Sequence, residues 1–500
     1  MTSYRPRACR AVLGAGLLIG LALAPTGAAP GGTIPIPNDP LPAGTPAYVG
    51  TPAVPQPVSA PRPPQHPFLA PDPGNNIHND AYMTDAYPGP GPLGVSPTVR
   101  STLQVAECAS LTFDRRGRLE TVCVGATTPT LKLFDPTTLK QLASHRLPNR
   151  RLGADVFSDF SGGGYFYLDH RDRAVIPTGT NHIRVVGQNP AGTAFVLRRD
   201  YDLTRVMARA DKIVSVLPTW TGELVFVTER GLVGAIRPRS GAVRVLRLGE
   251  TITNSFAVDE TGGIYVVTTA ALYRLDLVAG TPNVTWREDY ANTGVTKPGQ
   301  TSPGSGTTPT LMNDEWVAIT DNADPMNVVV YRRGAEKSGD REVCSVPVFD
   351  EGASATDNSL IAADRALVVT NNFGYRGPVQ SILGSITSPG IERVEVDPDG
   401  EGCHKVWTND EERSPSAVAK LSLANGLVYT VTRDRKGVVD SWYLSALDFR
   451  TGEVVFEQRY GTGFGHNVNY APVSLGPDGA AYVGVLGGLV RIADSSPSHR

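Results

Sequence analysis

The residues best suited to chemistry are two carboxylates and one histidine in polar loops of the C-terminal half. Asp321 and Asp324 share one short loop, and carboxylate oxygens are ligands that a hard cation such as calcium prefers. His466 can act as a general base near neutral pH. Calcium is therefore the candidate cofactor, with Asp321 and Asp324 as metal ligands and His466 as the catalytic residue. The alternative is structural, because Asp starts turns before proline and loop histidines bond to their surroundings.

A second set of polar residues can bind a ligand through amides and one guanidinium. Arginine suits an anionic group, and an asparagine amide both donates and accepts hydrogen bonds. The predicted ligand-binding residues are Asn358, Asn371, Asn372, Arg433 and Asn469. The alternative for the amides is capping of loop backbone. No His-Glu-x-x-His motif, phosphate-cradling loop or dinucleotide fingerprint occurs in the sequence.

Short strands must position these residues, because 53 glycines and 41 prolines in 500 residues favour turns over long helices. One unit recurs: an apolar strand, a turn, a second apolar strand ending in Thr or Gly, a polar loop and a third strand. Its second strands are 121–125, 174–178, 224–228, 264–268, 316–320, 366–370, 427–432 and 481–484. A β-sandwich would not need their spacing of about 50 residues. The period predicts an all-β fold, an eight-bladed β-propeller over residues 99–494, with a seven-bladed propeller as the alternative.

A propeller would gather the polar loops in one place. The loops between second and third strands and the connections between blades emerge on the same face of such a ring. Loops that contain Asp321, Asn371 and His466 then surround one channel mouth although they are far apart in sequence. Binding and catalysis usually reside in loops mounted on such a scaffold.

The last units carry a family resemblance. The segments Leu447–Phe456, Ala471–Gly479 and Tyr482–Gly484 read as an "ALD…TGE", "P…DG" and "YVG" pattern. This pattern resembles a blade of the quinoprotein alcohol dehydrogenase-like propellers, which contain PQQ-like repeats. The resemblance implies the fold more than the function. Redox enzymes of that group carry adjacent cysteines beside the quinone, and this sequence has no Cys-Cys pair.

The N-terminus predicts export. Arg5, Arg7 and Arg10 precede an apolar run over Ala11–Ala24, and small residues follow up to Ala29. This is the pattern of a secretory signal peptide, residues 1–29, which predicts a secreted or extracytoplasmic protein without a transmembrane anchor after cleavage. Residues 30–98 are rich in proline and predict a semi-rigid linker or an arm lying on the domain, and residues 495–500 form a tail.

Export favours disulfides between the four cysteines that remain. A turn at 114–117, with its two ends paired, places Cys108 directly opposite Cys123 in a hairpin. Cys344 and Cys403 follow as the second pair by elimination.

Composition excludes some functions. Lys and Arg number 46 against 49 Asp and Glu, and the net charge of −3 argues against nucleic acid as the main partner. The sequence therefore predicts a secreted propeller that binds a small-molecule, polymer or protein ligand at its polar face without a redox cofactor. The alternative is a metal-assisted hydrolase or lactonase that uses the same face, and the third interpretation is a quinoprotein oxidoreductase.

Overall fold

Eight sheets of short and mainly antiparallel strands make up the described part of the chain in a computed structural model. The structure describes residues 33–151, 155, 157, 159, 162–336, 340–436 and 438–495. The predicted signal peptide lies outside the described residues, as does most of the predicted tail. No described helix is long and apolar enough to cross a membrane.

The strands are numbered in chain order. The segment before the first blade contributes β1 (Tyr48–Gly50), β2 (Ala86–Tyr87) and β3 (Thr98–Leu103). Blades one to four, each from its inner to its outer strand, are β4 (Leu111–Phe113), β5 (Leu119–Cys123), β6 (Thr130–Phe134) and β7 (Gln141–Arg146); β8 (Tyr167–Leu168), β9 (Arg173–Pro177), β10 (His182–Gln188) and β11 (Phe195–Asp202); β12 (Ile213–Pro218), β13 (Leu224–Thr228), β14 (Leu232–Ile236) and β15 (Val243–Arg247); and β16 (Ala257–Val258), β17 (Ile264–Val267), β18 (Ala271–Val278) and β19 (Thr281–Asp289).

Blades five to eight continue in the same order as β20 (Thr310–Met312), β21 (Trp316–Thr320), β22 (Met326–Arg332) and β23 (Glu342–Val348); β24 (Ile361–Ala363), β25 (Ala366–Thr370), β26 (Ile391–Val396) and β27 (Cys403–Asn409); β28 (Lys420–Ser422), β29 (Leu427–Lys436), β30 (Val439–Asp448) and β31 (Val454–Thr462); and β32 (Val473–Leu475), β33 (Ala481–Val485) and β34 (Gly488–Ala493). A short helix α1 (Pro378–Ile382) and a 3₁₀ turn (Phe464–His466) lie in loops. The predicted eight-bladed propeller is confirmed.

The ring closes through the N-terminal strand β3, which pairs antiparallel with β34 as the fourth strand of blade eight. Blades one and eight also pack directly, because the rings of Phe113 and Tyr482 lie 5.4 Å apart in one apolar cluster. Inner and second strands are buried on both faces between neighbouring blades. The whole of β13, Leu-Val-Phe-Val-Thr, is buried in this way, whereas the outer strand β15 is only partly buried. This gradient of burial explains why the second strands are the clearest repeat in the sequence.

Residues 66–87, here called the plug, cover the channel end where the inner strands finish. Backbone amides of inner strands donate to plug carbonyls in five blades: Phe113 to Gly74, Val258 to Ala81, Leu311 to Tyr82, Ala362 to Thr84 and Leu421 to Asp85. The Leu168 amide of blade two donates likewise to Asn75. The plug is held to six blades, so this last part of the proline-rich segment packs onto the propeller.

Both predicted disulfides are present. Cys108–Cys123 joins the segment after β3 to β5, and Cys344–Cys403 joins the outer strands of blades five and six, with Cα atoms 5.8 Å apart. The predicted register of the first hairpin is wrong by one residue. Asp114 pairs with Arg118 instead of Gly117, because the turn contains one residue more than expected. The register then shifts before Glu107 pairs with Val124, which brings the two cysteines together.

Candidate functional site

A cavity of about 1070 Å³ opens at the face where the blades are joined, opposite the plug. Its described walls come from five blade connections, from the start of β12, from the β13–β14 loop and from the β25–β26 loop. They include Arg151, Asp155, Phe157, Asp159, Tyr165, Lys212, Val214, Glu229, Ile252, Thr253, Thr296, Lys297, Pro298, Gly299, Gln300, Thr301, Tyr375, Arg376, Gly377, Pro378, Val379, Gln380 and Tyr470. The prediction that polar loops converge on this face agrees with the arrangement of the strands.

Three tyrosines contribute to the cavity wall. The rings of Tyr375 and Tyr470 meet edge to face with centroids 5.3 Å apart. The Tyr375 hydroxyl lies 3.1 Å from the amide oxygens of both Asn467 and Asn469, to one of which it donates. Burial raises the pKa of Tyr165, Tyr375 and Tyr470, so their hydroxyls stay protonated at neutral pH. The tyrosines thus give this wall flat apolar surface with hydrogen-bonding tips.

Charged side chains form another part of the wall. The Lys212 ammonium lies 3.1 Å from Asp159 and 3.9 Å from Glu229. The Lys297 ammonium donates to the carbonyls of Ala323 and Ser354, the latter at 3.1 Å, and burial lowers its pKa. Both cations are thus held in position by the protein, and Asp159 and Glu229 offset the charge of Lys212.

Two buried carboxyl groups stand behind the wall. Asp357 accepts a hydrogen bond of 2.8 Å from the amide of Thr301, and Glu107 accepts one of 3.1 Å from Asn469. Burial raises the pKa of Glu107 to about 8 and that of Asp357 to about 7. The second oxygen of each has no hydrogen-bond partner among the described residues. Both groups are therefore partly protonated at neutral pH.

The rim of the cavity is apolar at the β25–β26 loop. Val379, Ile382, Leu383 and Ile386 in and after α1 are exposed by 47%, 44%, 73% and 69%. Clustered exposed aliphatic side chains mark interaction sites more often than scattered ones do. This feature was missed from the sequence, although four aliphatic residues in a glycine-rich polar loop were a signal for it.

Arg433 anchors this rim. Its guanidinium donates to the carbonyls of Ser381 and Ser385, both at 3.0 Å, and pairs with Asp440 at 3.0 Å. Arg435 adds a bond of 2.8 Å to the Ile382 carbonyl. Arg433 thus holds α1 in place from the neighbouring blade.

The predicted asparagines lie in loops and connections on this face, with their amides engaged by the protein. The Asn358 amide donates to Thr370 and to the carbonyl of Ala417, and its oxygen has no partner among the described residues. Asn371 and Asn372 bond to loop backbone through both ends of their amides. Asn469 contacts the cavity wall, because its amide oxygen lies 3.1 Å from the hydroxyl of Tyr375. None of the eight predicted catalytic, ligand-binding and metal residues is among the described lining residues, and their binding roles remain predictions.

Asp321, Asp324 and His466 also have local partners. Asp321 accepts from the amides of Ala323 and Asn327 at 3.1 and 2.7 Å, and Asp324 accepts from Gly352 at 2.8 Å. His466 is buried, with Nδ1 2.9 Å from the Thr462 carbonyl, and burial lowers its pKa. Within the described residues no group of three or more His, Cys, Asp or Glu side chains is arranged to hold a metal ion.

The fold and the cavity together define an eight-bladed β-propeller with a loop-lined pocket on one face. No protein-family model matches the chain. The chain is 31% identical over 348 residues to an uncharacterized protein of Archaeoglobus fulgidus, an alignment that covers 63% of this chain and 67% of that protein. The chain belongs to the same family as this archaeal protein.

Several solved structures are similar at low sequence identity. BamB from Moraxella catarrhalis is 13% identical, with a TM-score of 0.40 over 64% of this chain and 93% of BamB. A streptogramin B lyase is 9% identical, with a TM-score of 0.40 over 79% of this chain and 97% of the lyase. A protein from Lactobacillus plantarum is 10% identical, with a TM-score of 0.42 over 65% and 88% of the two chains.

Proposed function

We propose that this protein is an extracytoplasmic propeller that binds an amphiphilic small molecule in the cavity, without a redox cofactor. The observation that carries the proposal is the combination of a polar wall and an apolar rim in one cavity. The charged groups around Lys212 and Lys297 suit the polar part of such a ligand. Val379 at the rim, with the exposed aliphatic residues after it, suits the apolar part.

The cysteines support a location outside the cytoplasm. Two disulfides persist in oxidising compartments and are rare in the cytosol. The repeat pattern supports assignment to the PQQ-like group of propellers. The missing Cys-Cys pair supports the choice of a binding function over quinone chemistry.

The dye 8-anilinonaphthalene-1-sulfonate tests the cavity directly, because it is an amphiphilic anion that fluoresces in apolar surroundings. We expect one dye molecule per chain, and we expect Val379→Asp to weaken its affinity about tenfold, the effect of about 1.4 kcal/mol. Val438→Asp is the matched control, since Val438 is 80% exposed and does not line the cavity. Equal effects of both substitutions, or binding without a defined stoichiometry, would contradict the proposal.

A thermal-denaturation screen of natural amphiphiles then identifies the ligand class. A ligand at one hundred times its Kd stabilises the folded protein by about 2.7 kcal/mol. A genuine ligand must lose this stabilisation in Val379→Asp and keep it in Val438→Asp. Stabilisation that survives in Val379→Asp would place the ligand elsewhere on the molecule.

A further inference from the structure

A second groove lies on the face opposite the cavity, between blades one and two. Its volume is about 410 Å³, and its walls are the turns β4–β5, β8–β9 and β10–β11. Successive strands of a blade are antiparallel, so these turns emerge at the end of the ring away from the β25–β26 loop. We call it the arginine groove, because its lining includes Arg116, Arg118, Arg171, Arg173 and Arg198.

The charge of the groove differs from that of the whole chain. Its five arginines are opposed by only two lining carboxylates, Asp114 and Asp172. Asp169, which pairs with Arg173 beneath this lining, is a third carboxylate, so the groove has an excess of two positive charges in a protein whose net charge is −3. Such a local excess attracts anions.

Two of the arginines are fixed by ion pairs at the base of the groove. Arg118 donates through Nε and Nη2 to one oxygen of Asp114, at 2.9 and 2.7 Å. Arg173 donates through Nε to Asp169 at 2.7 Å. These pairs hold the turns of the two blades in defined positions, so the groove exists before any ligand binds.

The other three arginines are available to a ligand. Arg116, Arg171 and Arg198 are exposed. The guanidinium of Arg198 donates to the Gln188 carbonyl at 3.0 Å, and those of Arg116 and Arg171 have no hydrogen bond or ion pair within the described part of the chain. Guanidinium groups bind sulfate, phosphate and carboxylate through paired hydrogen bonds.

We propose that the arginine groove binds an anionic polysaccharide, a glycan that carries sulfate, phosphate or carboxylate groups. Single-stranded nucleic acid is held by stacking of bases on aromatic rings, and the described lining of the groove contains no Phe, Tyr or Trp. Duplex nucleic acid requires a long basic surface, which a chain with a net charge of −3 does not favour. This inference goes beyond the cavity and does not depend on it.

Binding to a fluorescent heparin fragment, to polygalacturonate and to a phosphorylated mannan tests the proposal for the three anionic groups. We expect at least one of them to bind with an affinity that falls as salt increases. The double variant Arg116→Gln/Arg171→Gln should bind it at least tenfold more weakly. Arg209→Gln/Arg239→Gln removes two exposed arginines outside the groove and should bind like the unaltered protein.

Three results would overturn the proposal. They are no binding of any of the three polymers, equal loss in the two double variants, or equal binding of DNA through Arg116 and Arg171. Dye binding in the cavity is measured on the same variants. A groove variant that retains it has kept its fold, so the two sites are tested separately.

Discussion

Arg333 and Asp259 form an ion pair of 2.9 Å inside the protein, where their side chains are only 2% and 1% exposed. Arg333 follows the third strand of blade five, and Asp259 follows the inner strand of blade four. The same guanidinium donates to the Tyr82 hydroxyl at 3.0 Å. One side chain thus joins two neighbouring blades to the plug.

Replacement of this arginine should destabilise the protein strongly. We expect Arg333→Met to lower the free energy of unfolding by about 3–5 kcal/mol, because Asp259 would stay buried without its counter-charge. The adjacent residue provides the control. Arg332 pairs with Glu401, and the two side chains are exposed by 40% and 71%. Arg332→Met should therefore lower the free energy of unfolding by about 1 kcal/mol or less. Urea unfolding measures both, and similar losses would contradict this account.

The disulfide between blades five and six should stabilise the protein, because it restricts the conformations of the unfolded chain. Cys344 and Cys403 are separated by 59 residues, and closure of such a loop stabilises by about 4 kcal/mol in the chain-entropy model. Cys344→Ala should show most of this loss in urea unfolding. Cys344→Ala/Cys403→Ala should add little, because either substitution already removes the bridge. If the double variant instead loses clearly more unfolding free energy than Cys344→Ala, the packing of each cysteine side chain contributes more than the bridge does.

Glu107 should make stability depend on pH. Burial raises its pKa to about 8 in the folded protein from an ordinary value near 4.5, so between these values the folded state binds more protons than the unfolded state. Stability contributed by this group is therefore complete below about pH 4.5 and is lost as pH rises towards 8. Glu107→Gln cannot ionise at this position. Its free energy of unfolding should therefore rise relative to that of the unaltered protein as pH increases over that interval, by at most about 1.4 kcal/mol per pH unit.

The control for this prediction is Glu315→Gln, which alters an exposed carboxylate. Its difference in unfolding free energy from the unaltered protein should be flat between pH 5 and 8. An equally flat difference for Glu107→Gln would show that Glu107 is charged in the folded protein.

Removal of divalent cations should leave the melting temperature unchanged. The carboxylates of Asp321 and Asp324 are engaged by backbone amides of their own and adjoining loops, so the loops do not need a cation to hold their shape. Thermal unfolding with and without EDTA measures this. A melting temperature that falls with EDTA and recovers with calcium would instead favour the metal-assisted hydrolase, because a cation bound to the native state stabilises it.

The fold could be predicted from the repeat, because the repeat is a pattern of residues that are close in sequence. Every second strand, such as β13 and β25, is apolar on both faces and ends at a polar loop, and this pattern can be read in any one unit. Cys108 and Cys123 could be paired from a hairpin for the same reason, even though the turn is one residue longer than predicted. The common face of the polar loops follows from strand direction alone.

The contents of the site were decided only by the tertiary structure. Tyr165, Lys297 and Tyr470 come from three distant connections that share no spacing or motif, and only closure of the ring brings them to one cavity. The contacts of the plug are a second feature that only the tertiary structure decides. Lys420 in an inner strand was a signal for a buried partner, but only the folded arm shows that this partner is Asp85. Strand repeats depend on neighbours in sequence, whereas a cavity and a buried ion pair depend on residues that meet only when the whole chain has folded.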